Sequence, residues 1–201
     1  MLRGHLGNHL PLSYDSPSEM KAQADTIGTD RDLVATVLQL GDEGAFRELY
    51  RRHTPRLLGF VSRLLAGADA EDEDVVQETW IRACQGLGRF QWRSTFSTWL
   101  LGIGLNVVRD TLRQNARSRT VSARRLPDPP GPRSTHETRI DLERAIRMLP
   151  DEYRMVLVLH DVEGMPHHEI AERLEIPAGT TKSRLFRARK MIRERLSEKT
   201  G

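Results

Sequence analysis

Cysteine is almost absent. Cys84 is the single one in 201 residues, which excludes an intramolecular disulfide and fits a reducing compartment. Aromatic residues are scarce at 5%, a level that suits small helical domains. No apolar run approaches the roughly 18 residues of a membrane span. The N-terminus also lacks the basic start and apolar stretch of a secretory signal, so the expectation is a soluble, cytoplasmic protein without membrane insertion. Metal-ligand spacing is missing: His167 and His168 are adjacent, cannot face one another on a helix, and have no Cys nearby. Both read as surface residues. Residues 30–115 hold no nucleophile–base pair, so we expect no catalytic residue, cofactor, metal or small-molecule substrate. A large charge excess is lacking too. The net is only +3, so a nucleic-acid surface has to come from local segregation of charge.

That segregation is present. From Gly179 to Arg195 there are seven Lys or Arg and one acid, Glu194. Leu185, Ala188, Ile192 and Leu196 recur there at helical spacing, roughly 100° per residue, and share one face. Thr180 is placed to cap this helix. The opposite side carries Ser183, Arg187 and Lys190, flanked by Lys182, Arg184 and Phe186. Arg and Lys suit phosphates and guanine edges, Ser and Thr either, and an apolar group a thymine methyl.

Upstream, residues 1–27 show no sustained periodicity and read as a flexible extension. Thr29 with Asp32 has capping-box spacing, and Leu33, Val34, Val37 and Leu38 follow helically to Gly41. Asp42 opens a second helix that Pro55 is expected to kink or split. Six acids and no base lie between Asp69 and Glu78, partly explained by the dipole of the helix they open. That helix is expected to bury Val76, Trp80, Ala83, Cys84 and Leu87. A loop over Gly86–Thr95 leads to a helix faced by Phe96, Trp99, Leu100, Ile103, Val107 and Val108. Trp92, between Gln91 and Arg93, is the best functional aromatic, since aromatics beside basic groups stack on unpaired bases. Six Arg and one acid between Arg109 and Arg125 make the far end basic.

Residues 116–133 end in clustered prolines and read as a linker. Ser134 and Glu137 have capping-box spacing. Leu142, Ala145, Ile146 and Leu149 give a short amphipathic helix, and another follows Pro150. The short helix Pro166–Leu174, the turn Glu175–Gly179 and the basic helix form a helix-turn-helix, the basic helix entering the major groove. The fold class is therefore all-α, with two small helical domains joined by a flexible Pro/Arg-rich linker.

At this point the chain resembles bacterial RNA polymerase sigma factors of the extracytoplasmic-function (ECF) group of the sigma-70 superfamily. The resemblance covers residues 30–197. It rests on Asp42–Tyr50, Glu73–Ala83, Phe96–Leu100 with Asn106 and Asp110–Arg113, Leu149–Arg154, His168–Ala171 and Pro177–Arg184, in that order. It implies a region 2 domain over 28–115, for core docking, −10 recognition and melting, and a region 4 domain over 134–201, for −35 recognition. Asp74, Val75, Val76, Gln77 and Glu78 match the surface that binds core polymerase at the clamp helices of its largest subunit. Trp92, Arg93, Ser94 and Thr95, with Asn106, Arg109 and Arg113, match the −10-reading and strand-capturing region. Thr180, Lys182, Ser183, Arg184, Phe186 and Arg187 match the −35 contacts, Arg187 and Phe186 for base edges, Arg184 and Lys182 for phosphate. The implied partners are core RNA polymerase, including the flap of its second-largest subunit, promoter DNA and an anti-sigma factor. The implied role is transcription initiation, in a stress or envelope response. The alternative is a helix-turn-helix regulator with an N-terminal sensing domain.

Two positions depart from the family pattern. Gly102-Ile-Gly-Leu-Asn106 stands where Arg-Ile-Ala-Arg-Asn is more usual, so two basic groups are missing, and the two glycines cost about 1 kcal/mol each in helicity. Glu175 stands in the turn where Gly is common, and a left-handed conformation is expected of it.

Overall fold

The computed structural model describes residues 28–66, 72–118 and 135–198. The expected extension 1–27, the acids Asp69–Glu71, most of the expected linker and Ser134 of its expected capping box lie outside them. The regular structure described is helical: α1 Asp30–Leu40, α2 Glu43–Leu65, α3 Asp72–Gly86, α4 Phe96–Ser118, α5 Thr135–Arg147, α6 Asp151–Leu157, α7 His167–Leu174 and α8 Ala178–Glu198. The chain divides into two compact units, one ending at Leu49 and the other beginning at Tyr50.

In the first unit the α1 capping box forms. Thr29 Oγ1 accepts the Asp32 N–H at 3.3 Å, and the Asp32 carboxylate accepts the Thr29 N–H at 2.9 Å. The Thr29 hydroxyl also donates to that carboxylate at 2.7 Å, and this bond, with the one from the Thr29 N–H, holds the Asp32 carboxyl below its usual range. Gly41, left-handed at φ 63°, ends the helix. Val34 is buried, whereas Leu38, expected on the same face, is exposed.

Within the second unit α2 runs unbroken through Pro55, where a kink or split was expected. Proline forfeits one internal hydrogen bond, and the next turns, Leu57, Phe60, Val61 and Leu64, are fully buried. Packing thus holds the helix past the break. α3 and α4 pack on one another, with Trp80 and Phe96 at their centre, the rings 6.2 Å apart. The Trp80 indole N–H donates to Thr54 Oγ1 at 3.1 Å, so its polar edge is satisfied. Cys84, expected in this core, is exposed. Val76, Trp80, Ala83 and Leu87 complete the buried stripe at spacings of three and four, and Cys84 falls one step around the helix.

Gly104 explains one departure. A Cβ there would lie 2.9 Å from Leu57 Cδ1, so its absence lets α2 and α4 approach closely. The helicity that Gly104 forfeits is offset by this packing.

In the C-terminal part α5, α6 and α7 each pack on α8. Ala145, Ile146, Leu149, Val156, Ile170, Leu185, Ala188 and Ile192 form the core, while Leu142, expected inward, is exposed. A π-helical turn, Val158–Val162, ends α6. Gly164 at φ 71° then reverses the chain.

The Gly104 contact is testable. Gly104→Val gains helix propensity but overpacks the seam against Leu57, so it should destabilise by about 2 kcal/mol. Urea denaturation should show a lower midpoint, and an unchanged or higher midpoint would refute the close approach.

Candidate nucleic-acid interface

The turn between α7 and α8 is built as the sequence suggests. Glu175 adopts φ 56°, ψ 44°, the expected left-handed conformation. The Ile176 N–H then reaches back to Ala171 O at 3.0 Å, closing α7. The start of α8 differs from the expectation. It begins at Ala178, and Pro177 O accepts the N–H groups of Thr180 and Thr181 at 2.9 and 3.3 Å. Thr180 therefore lies in the first turn rather than capping it. Thr181 is fully buried. Its hydroxyl donates to Ala178 O at 2.8 Å and accepts from His167 Nδ1 at 3.0 Å. The His167 ring also lies 4.5 Å from that of His160. His167 is thus a positioning residue for the two helices rather than the plain surface residue expected.

Of the expected −35 contacts, Lys182, Ser183, Phe186 and Arg187 are exposed. Phe186, an apolar ring in water, is 65% exposed. Ser183 Oγ donates to Thr180 O at 3.0 Å. Arg184 pairs with Glu152 of α6 at 2.6 Å, a partner the sequence reading did not find. Arg189 is bound bidentately by Asp161 at 2.6 and 2.9 Å. That contact, with the hydrogen bond from His160, holds the Asp161 carboxyl below its usual range. Arg187 makes no ion pair among the described residues, so its guanidinium is available to DNA.

The −10 candidates divide. Trp92 has φ 55°, a conformation rare for a bulky residue. It is half-buried, its ring 4.6 Å from Phe90, which itself stacks on Trp99 at 4.7 Å. Arg93, Ser94 and Thr95 are exposed, and Thr95 Oγ1 accepts the Thr98 N–H at 3.1 Å, capping α4. Asn106 and Arg113 are exposed, two turns apart on one face. Arg109 is turned elsewhere. Its side chain is 14% exposed, donating to Arg173 O at 2.7 Å and to Glu175 Oε1 at 3.1 Å.

On α3, Asp74 and Gln77 are exposed and Glu78 is half-buried, paired with Arg82 at 2.7 Å. Val75 and Val76 are each 4% exposed, so their side chains support this face from beneath and do not present it. Ile81, 46% exposed, continues the stripe of Asp74, Gln77 and Glu78. The helical spacing would have found it, had the polar residues not drawn the eye.

A helix-turn-helix with a basic second helix, in a chain that also presents an acidic helix and an aromatic-basic loop, defines a DNA-binding protein of transcription. Residues 49–118 match the family model for sigma-70 region 2, and residues 139–192 that for sigma-70 region 4. The ECF RNA polymerase sigma-E factor of Escherichia coli (strain K12) is 34% identical over 179 residues, spanning 82% of this chain and 92% of that protein. The sigma factor RpoE of Bartonella quintana, solved with the anti-sigma factor NepR, superposes with a TM-score of 0.60 at 26% identity, over 76% of this chain and 96% of that one. CnrH, solved with the cytosolic domain of CnrY, does so with a TM-score of 0.55 at 28% identity, over 84% and 97%. The chain belongs to the ECF group of the sigma-70 family: it is a non-enzymatic subunit that directs RNA polymerase to promoters. Among the described residues no helix is long and apolar enough to cross a membrane.

Two outcomes follow. Arg187→Ala should erase discrimination among −35 sequences, whereas Lys182→Ala should weaken binding to all of them alike. Competition binding with single-base variants separates the two, and a uniform loss for both would remove Arg187 from base reading. The second concerns pH. Desolvation first, then the charges of His160, Lys182 and Arg189, depress the His167 pKa below 6.5, with Asp161 opposing. The unfolded chain then binds the proton more readily than the folded one, so stability falls as pH drops through the ordinary histidine range. Melting temperature should decline from pH 7.5 to 5.5 in the native chain and less steeply in His167→Gln. Equal slopes would show that His167 carries none of the effect.

Proposed function

We propose that residues 28–115 dock core polymerase and read and melt the −10 element, that 134–201 read the −35 element, and that 116–133 join them. The observation that carries the reading is the open row Lys182, Phe186 and Arg187 on a helix whose start is fixed by buried Thr181. A groove-reading helix needs a rigid base and unpaired donors. Arg187 and Phe186 read bases. Lys182 and Arg184 hold phosphate, Arg184 after exchanging Glu152 for DNA. Thr180 and Ser183 complete the polar edge. Trp92, Arg93, Ser94 and Thr95 receive the melted strand, and Asn106, Arg109 and Arg113 read along α4. Asp74, Gln77 and Glu78 face the clamp helices, with Ile81 as the apolar centre of a polar contact. Val75 and Val76 act by supporting that face. The C-terminal domain also meets the flap of the second-largest subunit.

Two relatives are solved with CnrY and with an anti-sigma factor, and we extend that kind of partner to this chain. A cytoplasmic protein released in an envelope or stress response fits a sigma-E-like sequence.

The test is run-off transcription with purified core polymerase on fragmented genomic DNA of the bacterium that encodes the chain. Discrete start sites that require the protein support the reading, and their absence sinks it. Asp74→Lys with Gln77→Ala should weaken core binding at least tenfold without lowering the melting temperature, as both side chains are exposed. Undiminished core binding would move the docking surface elsewhere.

A further inference from the structure

Asp110 is an acid in a row otherwise suited to DNA. Asn106, Asp110 and Arg113 follow one another on α4 at spacings of four and three, so they share one face. Asn106 and Arg113 are exposed, and the Asp110 side chain is 45% exposed. The formal charges of the three cancel. Left alone, the carboxylate would stand between the two strand-reading groups and repel phosphate.

A base for it comes from the neighbouring helix. Arg82 of α3 donates from Nη1 to Asp110 Oδ2 at 3.1 Å and from Nε to Glu78 Oε1 at 2.7 Å. α3 and α4 pack on one another here. Thr79 is fully buried, and a Cβ on Gly104 would lie 3.6 Å from its Cγ2. Arg82, about one turn after Thr79, comes out of that seam half-exposed. An arginine keeps its charge in a protein. The two bonds use different nitrogens, so one guanidinium borders both the α3 row of Asp74, Gln77 and Glu78 and the α4 row of Asn106, Asp110 and Arg113. Half-exposed ion pairs hold helices together only weakly. The seam itself is held by buried Trp80, Phe96 and Thr79. The contact therefore matters more for the charge it sets than for the packing it adds.

We propose that Arg82 is a positioning residue of the −10 surface: carried by the docking helix, it neutralises Asp110, so that Asn106 and Arg113 meet the strand without a repelling carboxylate between them. The inference rests on the reading of α4 as the −10 helix. It separates two roles that the same ion pair could have. A screening role disappears once Asp110 carries no charge, whereas a bracing role is lost whichever partner is removed.

The test uses holoenzyme assembled with saturating amounts of each full-length variant, on a promoter fragment recovered by run-off transcription. Open-complex formation is followed by permanganate footprinting, core affinity is measured separately, and melting temperature checks folding. Arg82→Ala should lower promoter affinity about three- to tenfold, a deficit that shrinks as salt is raised. Asp110→Asn should bind at least as tightly as the native chain. Arg82→Ala with Asp110→Asn should recover most of the loss, although the pair is still broken. A double variant as weak as Arg82→Ala overturns the proposal. So does an Arg82→Ala deficit confined to core affinity, which would place the residue with Glu78 in docking alone. Failure of the underlying reading looks different: Asn106→Ala with Arg113→Ala would open the promoter like the native chain, moving −10 recognition off α4.

Discussion

The guanidinium of Arg154 is the constraint on which the C-terminal part depends. It is 1% exposed, and an arginine cannot shed its charge. Its five N–H donors are all engaged. Nε and Nη2 reach Leu64 O, Nη1 reaches Arg147 O and Leu149 O, and Nη2 also reaches the Asp151 carboxylate at 2.7 Å. A buried charge left short of partners is strongly destabilising. Arg154 therefore dictates where the C-termini of α2 and α5 stand, since each offers carbonyls that its own helix leaves unused. The π-helical turn, the reversal at Gly164 and the placement of α7 all follow from the helix Arg154 anchors.

From that anchor the recognition helix is positioned by neutral contacts and balanced by charged ones. Thr181 and His167 fix the turn, and Leu185, Ala188 and Ile192 fix the face. Glu152 and Asp161 draw Arg184 and Arg189 toward the protein. Two of the helix's positive charges are thereby answered from other helices, while Lys182 and Arg187 make no ion pair among the described residues. Such pairing weakens undirected phosphate attraction while the exposed side chains keep their freedom. A subunit that works alongside a polymerase needs choice of sequence more than affinity of its own.

How much of this was legible beforehand depends on how local the cause was. The capping box of Thr29 and Asp32, the left-handed Glu175 and the inward faces of α4 and α8 each depend on a few neighbouring residues, and each formed as expected. Cys84 and Leu142 failed because a helical stripe has edges, and composition does not say which side of an edge a residue falls on. Val75 and Val76 took their expected role from their neighbours in the motif, although their own apolar side chains argued for the interior. Pro55 was judged by its ring, while the unbroken helix reflects the four buried residues after it. His167 has its partner 14 positions away, in Thr181, a contact that no local pattern carries. Membership of the family came from motifs in order, a signal spread over the whole chain and so resistant to single errors.

The same distinction explains the glycines of α4. Read locally, Gly102 and Gly104 are losses of helicity and of two basic groups. In the folded chain they do different work. Gly104 admits Leu57 from α2, a permanent packing contact between apolar groups. Gly102 admits Arg173, a charged side chain already compensated by Glu169. An apolar contact gains from exclusion of water and resists opening, whereas an ion pair at a seam loses little when both partners return to solvent. α4 is therefore held on one side by an apolar contact and on the other by a charged one.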